Sequence, residues 1–309
     1  MSPHDAFPPR RQLGRTGFVA TRLGAGDLAD RSVPFEDCVT TLRRALDAGL
    51  NVVDTAPSYE EGLSERIVGA ALAGRREGVF LIDKIDHFDR PVAEQVAGSL
   101  ERLGGLRPDL FVFHGVSTLE AWQHLVAKGG GFDQLALAVS AEHTRFRGIS
   151  CHHPEVLQAA IASGLCDVVM FPVGPFVDAR YVDTMLPLAR ERGVGSVCFK
   201  TFGAGKLLGD TEGYGRPLTA RPRGKQSSGG RDRSDVPELP HLSVAECVNY
   251  TLSCDPDVAL LGLSFPNEQD AAFAAARTFQ RLAPHELTTL RERAAIAMQH
   301  KGAVWWNPP

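Results

Sequence analysis

Residues 79–114 read VFLIDKIDHFDRPVAEQVAGSLERLGGLRPDLFVFH, and the fold follows from this stretch. Val79–Lys84 is a short apolar run that ends on a cation. Val92, Val96, Leu100 and Leu103 then recur at helical spacing. A second apolar run, Asp109–His114, ends on a histidine. Strand, amphipathic helix and strand make one βαβ unit, because parallel strands can be joined only by a long crossover. Both runs are nearly all apolar, as strands covered on both faces are.

The same alternation continues in both directions. Further apolar runs are Val19–Gly24, Leu50–Asp54, Phe146–Ser150, Asp167–Phe171, Gly195–Phe199 and Val258–Gly262. Between them, helical periodicity joins Val39, Leu42 and Leu46, then Val182, Met185, Leu186 and Ala189, then Val244, Val248, Thr251 and Leu252. Eight strands, each followed by a helix, predict an α/β fold of the (β/α)8 TIM-barrel type. Arg11–Phe18, with two glycines around a polar turn, predicts an N-terminal β-hairpin, and Pro284–His300 an extra C-terminal helix. Residues 1–309 are read as a single barrel domain. Residues 209–241 break the rhythm and are read as a long loop between strand seven and helix seven, either functional or disordered. Substrate specificity is expected in loops 27–35, 115–145 and 209–241.

Composition narrows the function. Hydrophobic residues at 43% and charged residues at 23% exclude a disordered, fibrous or coiled-coil chain. No apolar run approaches the ~18 residues that span a bilayer, and the N-terminus shows no secretory h-region. A net charge of −4 argues against nucleic-acid or membrane-surface partners. Six cysteines without a CxxC read as reduced thiols, which places the protein in the cytoplasm.

Barrel chemistry collects at the C-terminal ends of the strands. Strand two ends in Asp54, with Tyr59 just beyond, strand three in Lys84 and strand four in His114. Each has an ordinary structural role on its own, but together they form a specific set. A free tyrosine, with a pKa near ~10, is a reluctant acid at neutral pH. A nearby ammonium stabilises the phenolate and lowers that value. An aspartate holds the lysine, and a histidine beside the tyrosine can hydrogen-bond a carbonyl oxygen. The set suits proton transfer to the oxygen of a carbonyl that receives a hydride.

With these residues in order, the sequence resembles the aldo-keto reductases over nearly its whole length. Asp54-Thr-Ala-Pro-Ser-Tyr59 followed by Ser64-Glu65 is similar to that family's strand-two signature, and LIDKID and LFVFHGV match its next two catalytic positions. The resemblance implies a catalytic tetrad of Asp54, Tyr59, Lys84 and His114, with Tyr59 as acid/base. It further implies an NAD(P)H-dependent oxidoreductase with a small-molecule carbonyl substrate and NADP as cofactor, NAD being the alternative. Tyr-Glu-Glu-Gly-Leu-Ser replaces the family's shorter Tyr-Gly-x-Ser and is expected to shift the lip of the pocket.

The cofactor side carries no GxGxxG after the first strand, so a Rossmann domain is not indicated. Barrels hold phosphates near strands seven and eight. Gly262-Leu-Ser-Phe-Pro-Asn267 fits that role, with Pro266 suited to open a helix and Ser264 able to donate to a phosphate. After strand seven, Gly203 and Gly205 permit close backbone approach to a pyrophosphate, and Lys200 and Lys206 are the phosphate cations. The resemblance places Phe199 as the aromatic face on the nicotinamide. It also places Ser150, Cys151 and Met170 around the carboxamide, where the family has Ser, Asn and Gln. Met cannot donate a hydrogen bond. Glu268 stands where the family has an arginine for the 2′-phosphate, and Arg216, Arg221, Arg223, Arg231 and Arg233 of the long loop are the alternative source of that charge. Cys151-His152-His153 is a poor zinc site, since adjacent residues rarely point at one ion. The alternative function is a nicotinamide-nucleotide-binding protein with little turnover.

Overall fold

The structure, a computed structural model, describes residues 10–208, 240–263, 266–301, 304, 306 and 307. The barrel strands are β3 (Leu23–Ala25), β4 (Val52–Asp54), β5 (Phe80–Ile85), β6 (Leu110–Phe113), β7 (Phe146–Ser150), β8 (Val168–Pro172), β9 (Gly195–Phe199) and β10 (Val258–Leu261). They pair in parallel and close with β10 beside β3. The crossovers carry α1 (Phe35–Asp47), α2 (Leu63–Leu72), α3 (Val92–Arg102), α6 (Pro154–Ala162), α7 (Leu186–Glu191) and α8 (Val244–Cys254), and α9 (Pro266–Arg277) follows the last strand. The extra helix α10 spans Pro284–Met298. Ser243 and Glu246 close a reciprocal capping box at the start of α8, with Ser243 N–H donating to Glu246 at 2.8 Å and Glu246 N–H donating to Ser243 Oγ at 3.2 Å.

Two sequence expectations change. The run Val19–Gly24 divides into hairpin and barrel. Arg11–Gln12 (β1) pairs antiparallel with Val19–Ala20 (β2), and the first barrel strand begins only at Leu23. The break is held by Asn51, whose side-chain oxygen accepts from the Thr21 N–H at 2.7 Å and from Thr21 Oγ1 at 3.0 Å. Residues 115–145 are not a loop but hold two helices, α4 (Leu119–Val126) and α5 (Gly131–Ser140). Thr118 caps the first by accepting from the Ala121 N–H at 3.1 Å. The loop assigned to 209–241, with its five arginines, lies outside the described residues except at its end.

Side-chain alternation sorts each strand into two cores. Val52, Phe80, Ile82, Leu110, Val112, Val168, Met170, Val197, Val258 and Leu260 fill the barrel interior. Val53, Leu81, Ala259 and Leu261 face the helices on one side, and Ile85, Phe111, Phe113, Ile149, Val169, Phe171 and Cys198 on the other. The hairpin closes the N-terminal end. Leu13 joins the interior cluster, and the Phe18 ring lies 5.1 Å from that of Phe80. The opposite mouth is left for polar groups. A Cβ on Gly148 would lie 1.8 Å from the Val168 carbonyl oxygen, so β7 and β8 meet there because position 148 has no side chain.

Candidate active site

The parity of three neighbouring strands builds the site. Val52 points inward and Val53 outward, so Asp54 points inward. Phe80 and Ile82 point inward, so Lys84 does. Leu110 and Val112 point inward, so His114 does. The structure brings all four expected residues together. Lys84 Nζ donates to both Asp54 oxygens and to the Thr55 carbonyl, each at 2.7 Å. It also lies 4.5 Å from the centre of the Tyr59 ring. The Tyr59 and His114 rings meet edge-on at 5.6 Å.

The electrostatics differ from the sequence expectation at one point. Lys84 does pull the Tyr59 hydroxyl down, but burial outweighs it, and Tyr59 is pushed up to about 12. The hydroxyl therefore holds its proton at neutral pH. Burial alone would lower Lys84, yet Asp54 and Tyr59 more than compensate and hold the ammonium above its ordinary value. Burial pushes Asp54 up against the pull of Lys84. The two-oxygen contact at 2.7 Å and the raised Lys84 describe an ion pair.

Around the tetrad stand residues that the sequence reading passed over. Asp86 shares the inward parity of Lys84, and its Oδ1 lies 2.5 Å from His114 Nδ1, while Oδ2 accepts from the Ser58 N–H at 2.8 Å. Burial raises Asp86, but the His114 and Ser58 contacts outweigh it and hold the carboxyl below its usual value. With Nδ1 engaged, Nε2 is the His114 nitrogen open to a ligand. Thr55 Oγ1 donates to Ser64 Oγ at 2.9 Å, which ties the signature serine to the residue that receives Lys84. The lengthened lip turns through three left-handed residues, Glu60, Glu61 and Gly62. Arg31 bridges to Glu60 at 3.2 Å and to Glu61 at 2.8 Å, joining the loop after β3 to the segment that carries Tyr59.

Beneath the tetrad, Asp83 and Glu65 are fully buried on the helix side of β5, and Arg102 donates to Glu65, with Nη2 at 3.0 Å from Oε1. Asp83 Oδ1 accepts from the Lys84 N–H at 2.8 Å, and among the described residues Oδ2 has no partner. Burial and the Glu65 carboxylate push Asp83 well above the usual range. A carboxyl raised by folding stabilises the fold at low pH and loses that contribution as pH rises through its folded value. Asp83→Asn keeps the acceptor and removes the titration. Its melting temperature is expected to gain on the native protein between pH 5 and pH 9. An unchanged gap across that range would contradict the assignment.

The cofactor-side expectations divide. Ser150, Met170 and Phe199 lie on the inward face, Met170 within the interior cluster and Phe199 packed against it. Cys151 points the other way. It is fully buried in the helix-side cluster, and its thiol donates to the His153 carbonyl at 3.2 Å. Burial pushes that thiol up to about 12. Lys200, Gly203, Ala204 and Gly205 all hold left-handed backbone in the turn after β9. Lys200 Nζ lies 5.6 Å from the centre of the Phe199 ring. Lys206 is 1% exposed, with Nζ 5.9 Å from the centre of the Trp306 ring. Gly262 and Asn267 are exposed at the β10–α9 junction. Ser264 and the Glu268 side chain lie outside the described residues. Thr201, 2% exposed, has among the described residues no partner for its hydroxyl. A buried hydroxyl without a partner among the described residues, in the turn that directly follows the Phe199 ring and Lys200, fits a cofactor that brings polar groups and an aromatic ring to the end of β9. Among the described residues no group of three or more His, Cys, Asp or Glu could hold a metal, and no helix is long and apolar enough to cross a membrane.

Known proteins of similar sequence and fold share a family. The family model described as "Aldo/keto reductase family" matches residues 22–292. Aldo-keto reductase YhdN of Bacillus subtilis is 27% identical over 221 residues, and the match covers 65% of each chain. The solved aldo-keto reductase AKR11C1 from Bacillus halodurans superposes with a TM-score of 0.70 at 24% identity, covering 95% of this chain and 99% of that one. An aldo-keto reductase from Klebsiella pneumoniae, solved in complex with NADPH, superposes with a TM-score of 0.68 at 18% identity, covering 92% and 94%. At these identities the two solved structures attest the fold.

Proposed function

Because the chain belongs to the aldo/keto reductase family, we propose that it reduces an aldehyde or ketone to the alcohol with a nicotinamide nucleotide, Tyr59 acting as general acid. The observation that carries the reading is the buried Asp54–Lys84 ion pair held against the Tyr59 ring at the barrel mouth. NADPH is the cofactor of the Klebsiella relative's complex and is the expected cofactor here, with NADH as the alternative. Phe199, Ser150 and Lys200 would hold it, with Gly262 and Asn267 toward the phosphates. The bound nucleotide supplies the hydride.

The chain's own residues do the rest. Tyr59 Oη holds its proton until a carbonyl oxygen gains negative charge, then passes it over. Lys84 stabilises the phenolate that remains, and Asp54 fixes Lys84 in place. His114 offers Nε2 toward the carbonyl oxygen. Asp86 engages Nδ1 and so fixes the ring with Nε2 turned to that oxygen. The barrel's apolar interior lies directly below and keeps water from one side of the charge.

The test measures binding and turnover separately. NADPH and NADH are titrated side by side by fluorescence. Oxidation of the tighter-bound one is then followed with a panel of small aldehydes and ketones. Binding with carbonyl-dependent oxidation is expected. Binding without oxidation across the panel would leave a nucleotide-binding protein and overturn the proposed reaction.

A further inference from the structure

We propose that His152 is the residue that orients the nicotinamide ring, its imidazole pairing with the carboxamide; this rests on the reading that the ring lies against Phe199. Ile149 and Cys151 belong to the helix-side cluster, whereas Ser150 is on the inward face. Carried one step past the strand end, the alternation sends His152 to the barrel mouth. The contact agrees, for the His152 ring centre lies 5.1 Å from that of Phe199, two strands away, with the planes tilted by 55°. Inward residues of alternate strands meet in this way in a closed barrel.

The chemistry of the corner is uneven. Met170 is packed in the interior cluster and cannot donate, and Phe199 offers a face but no polar atom. Ser150 offers a hydroxyl. His152 is half-buried and, unlike His114, makes no hydrogen bond to any described residue. Burial, followed by the electrostatic influence of Lys200 and His114, pushes it down to about 3. A neutral imidazole presents one N–H donor and one bare acceptor. A carboxamide presents a C=O acceptor and an NH2 donor, so the two are complementary as drawn. The role expected one residue earlier, at Cys151, cannot be filled from there, because that side chain faces the helices.

The experiment compares NADPH with 2′-phospho-ADP-ribose, which lacks the nicotinamide. The native protein is expected to bind whole NADPH more tightly than the fragment. His152→Ala should reduce that preference about tenfold, the size of one to two neutral hydrogen bonds, with fragment affinity unchanged. His152→Asn, which again offers a donor and an acceptor, should restore most of it. A native preference that survives His152→Ala, or an equal loss for both ligands, would overturn the proposal. A native protein that binds neither ligand would overturn the cofactor reading itself, and the proposal with it.

Discussion

Tyr59→Phe is expected to reduce carbonyl turnover by about 10²–10⁴-fold, the usual cost of removing a general acid, while nucleotide affinity stays within about twofold. The substitution removes one oxygen and keeps the ring that stands 4.5 Å from Lys84 Nζ and 5.6 Å from His114. Packing and the Asp54–Lys84 pair are therefore retained, and the loss falls on chemistry rather than folding. The structure also specifies the proton's state before reaction. With Tyr59 pushed up to about 12, the acid is fully loaded at neutral pH. The pH profile of kcat/KM, which reports groups of the free enzyme, should show no alkaline loss from Tyr59 up to about pH 9. Steady-state rates and a nucleotide titration on the variant check both statements. Turnover above half the native value would remove Tyr59 from the mechanism.

Lys84→Met is expected to cost both activity and stability. The methionine fills much the same volume but leaves Asp54, 2% exposed, without its cation. Breaking a buried ion pair by removing one partner typically costs about 3–5 kcal/mol. The abandoned Asp54 carboxyl is then raised by burial, so its contribution is retained at low pH and lost as pH rises through the folded value. The deficit, measured by urea unfolding, should therefore be larger at pH 8 than at pH 5. Turnover should fall as it does for Tyr59→Phe, since the phenolate loses its counter-charge. A variant of native stability at both pH values would mean the pair is not buried as described.

Much of this site could be read in the chain because a barrel strand imposes a period of two. Asp54, Lys84 and His114 sit at inward parity on successive strands, and apolar runs two residues apart predict that directly. The same rule marks Asp86, two residues past Lys84 in LIDKID, and the sequence reading missed it by stopping at the strand's end. It also separates Cys151 from His152, which the family pattern alone does not. Other features depend on partners remote in sequence. The burial of Lys206 is not visible in the sequence, because Trp306, which packs near it, lies one hundred residues on. The split of Val19–Gly24 depends on the Asn51 side chain, thirty residues away. Helices α4 and α5 are short, and each buries only a few apolar residues, too few for periodicity to show them. The rise of Tyr59 comes from burial, which a motif does not display, whereas the charge beside it is visible in the sequence.

The central step is hydride transfer to a carbonyl carbon with Tyr59 supplying the proton. A single turnover with NADPH deuterated at the transferring position, and the best aldehyde of the panel, tests this directly. Native enzyme should place deuterium on the carbinol carbon within the first turnover, and Tyr59→Phe should form labelled alcohol at least about a hundredfold more slowly. Unlabelled alcohol from the native enzyme, or labelled alcohol from Tyr59→Phe at the native rate, would contradict it.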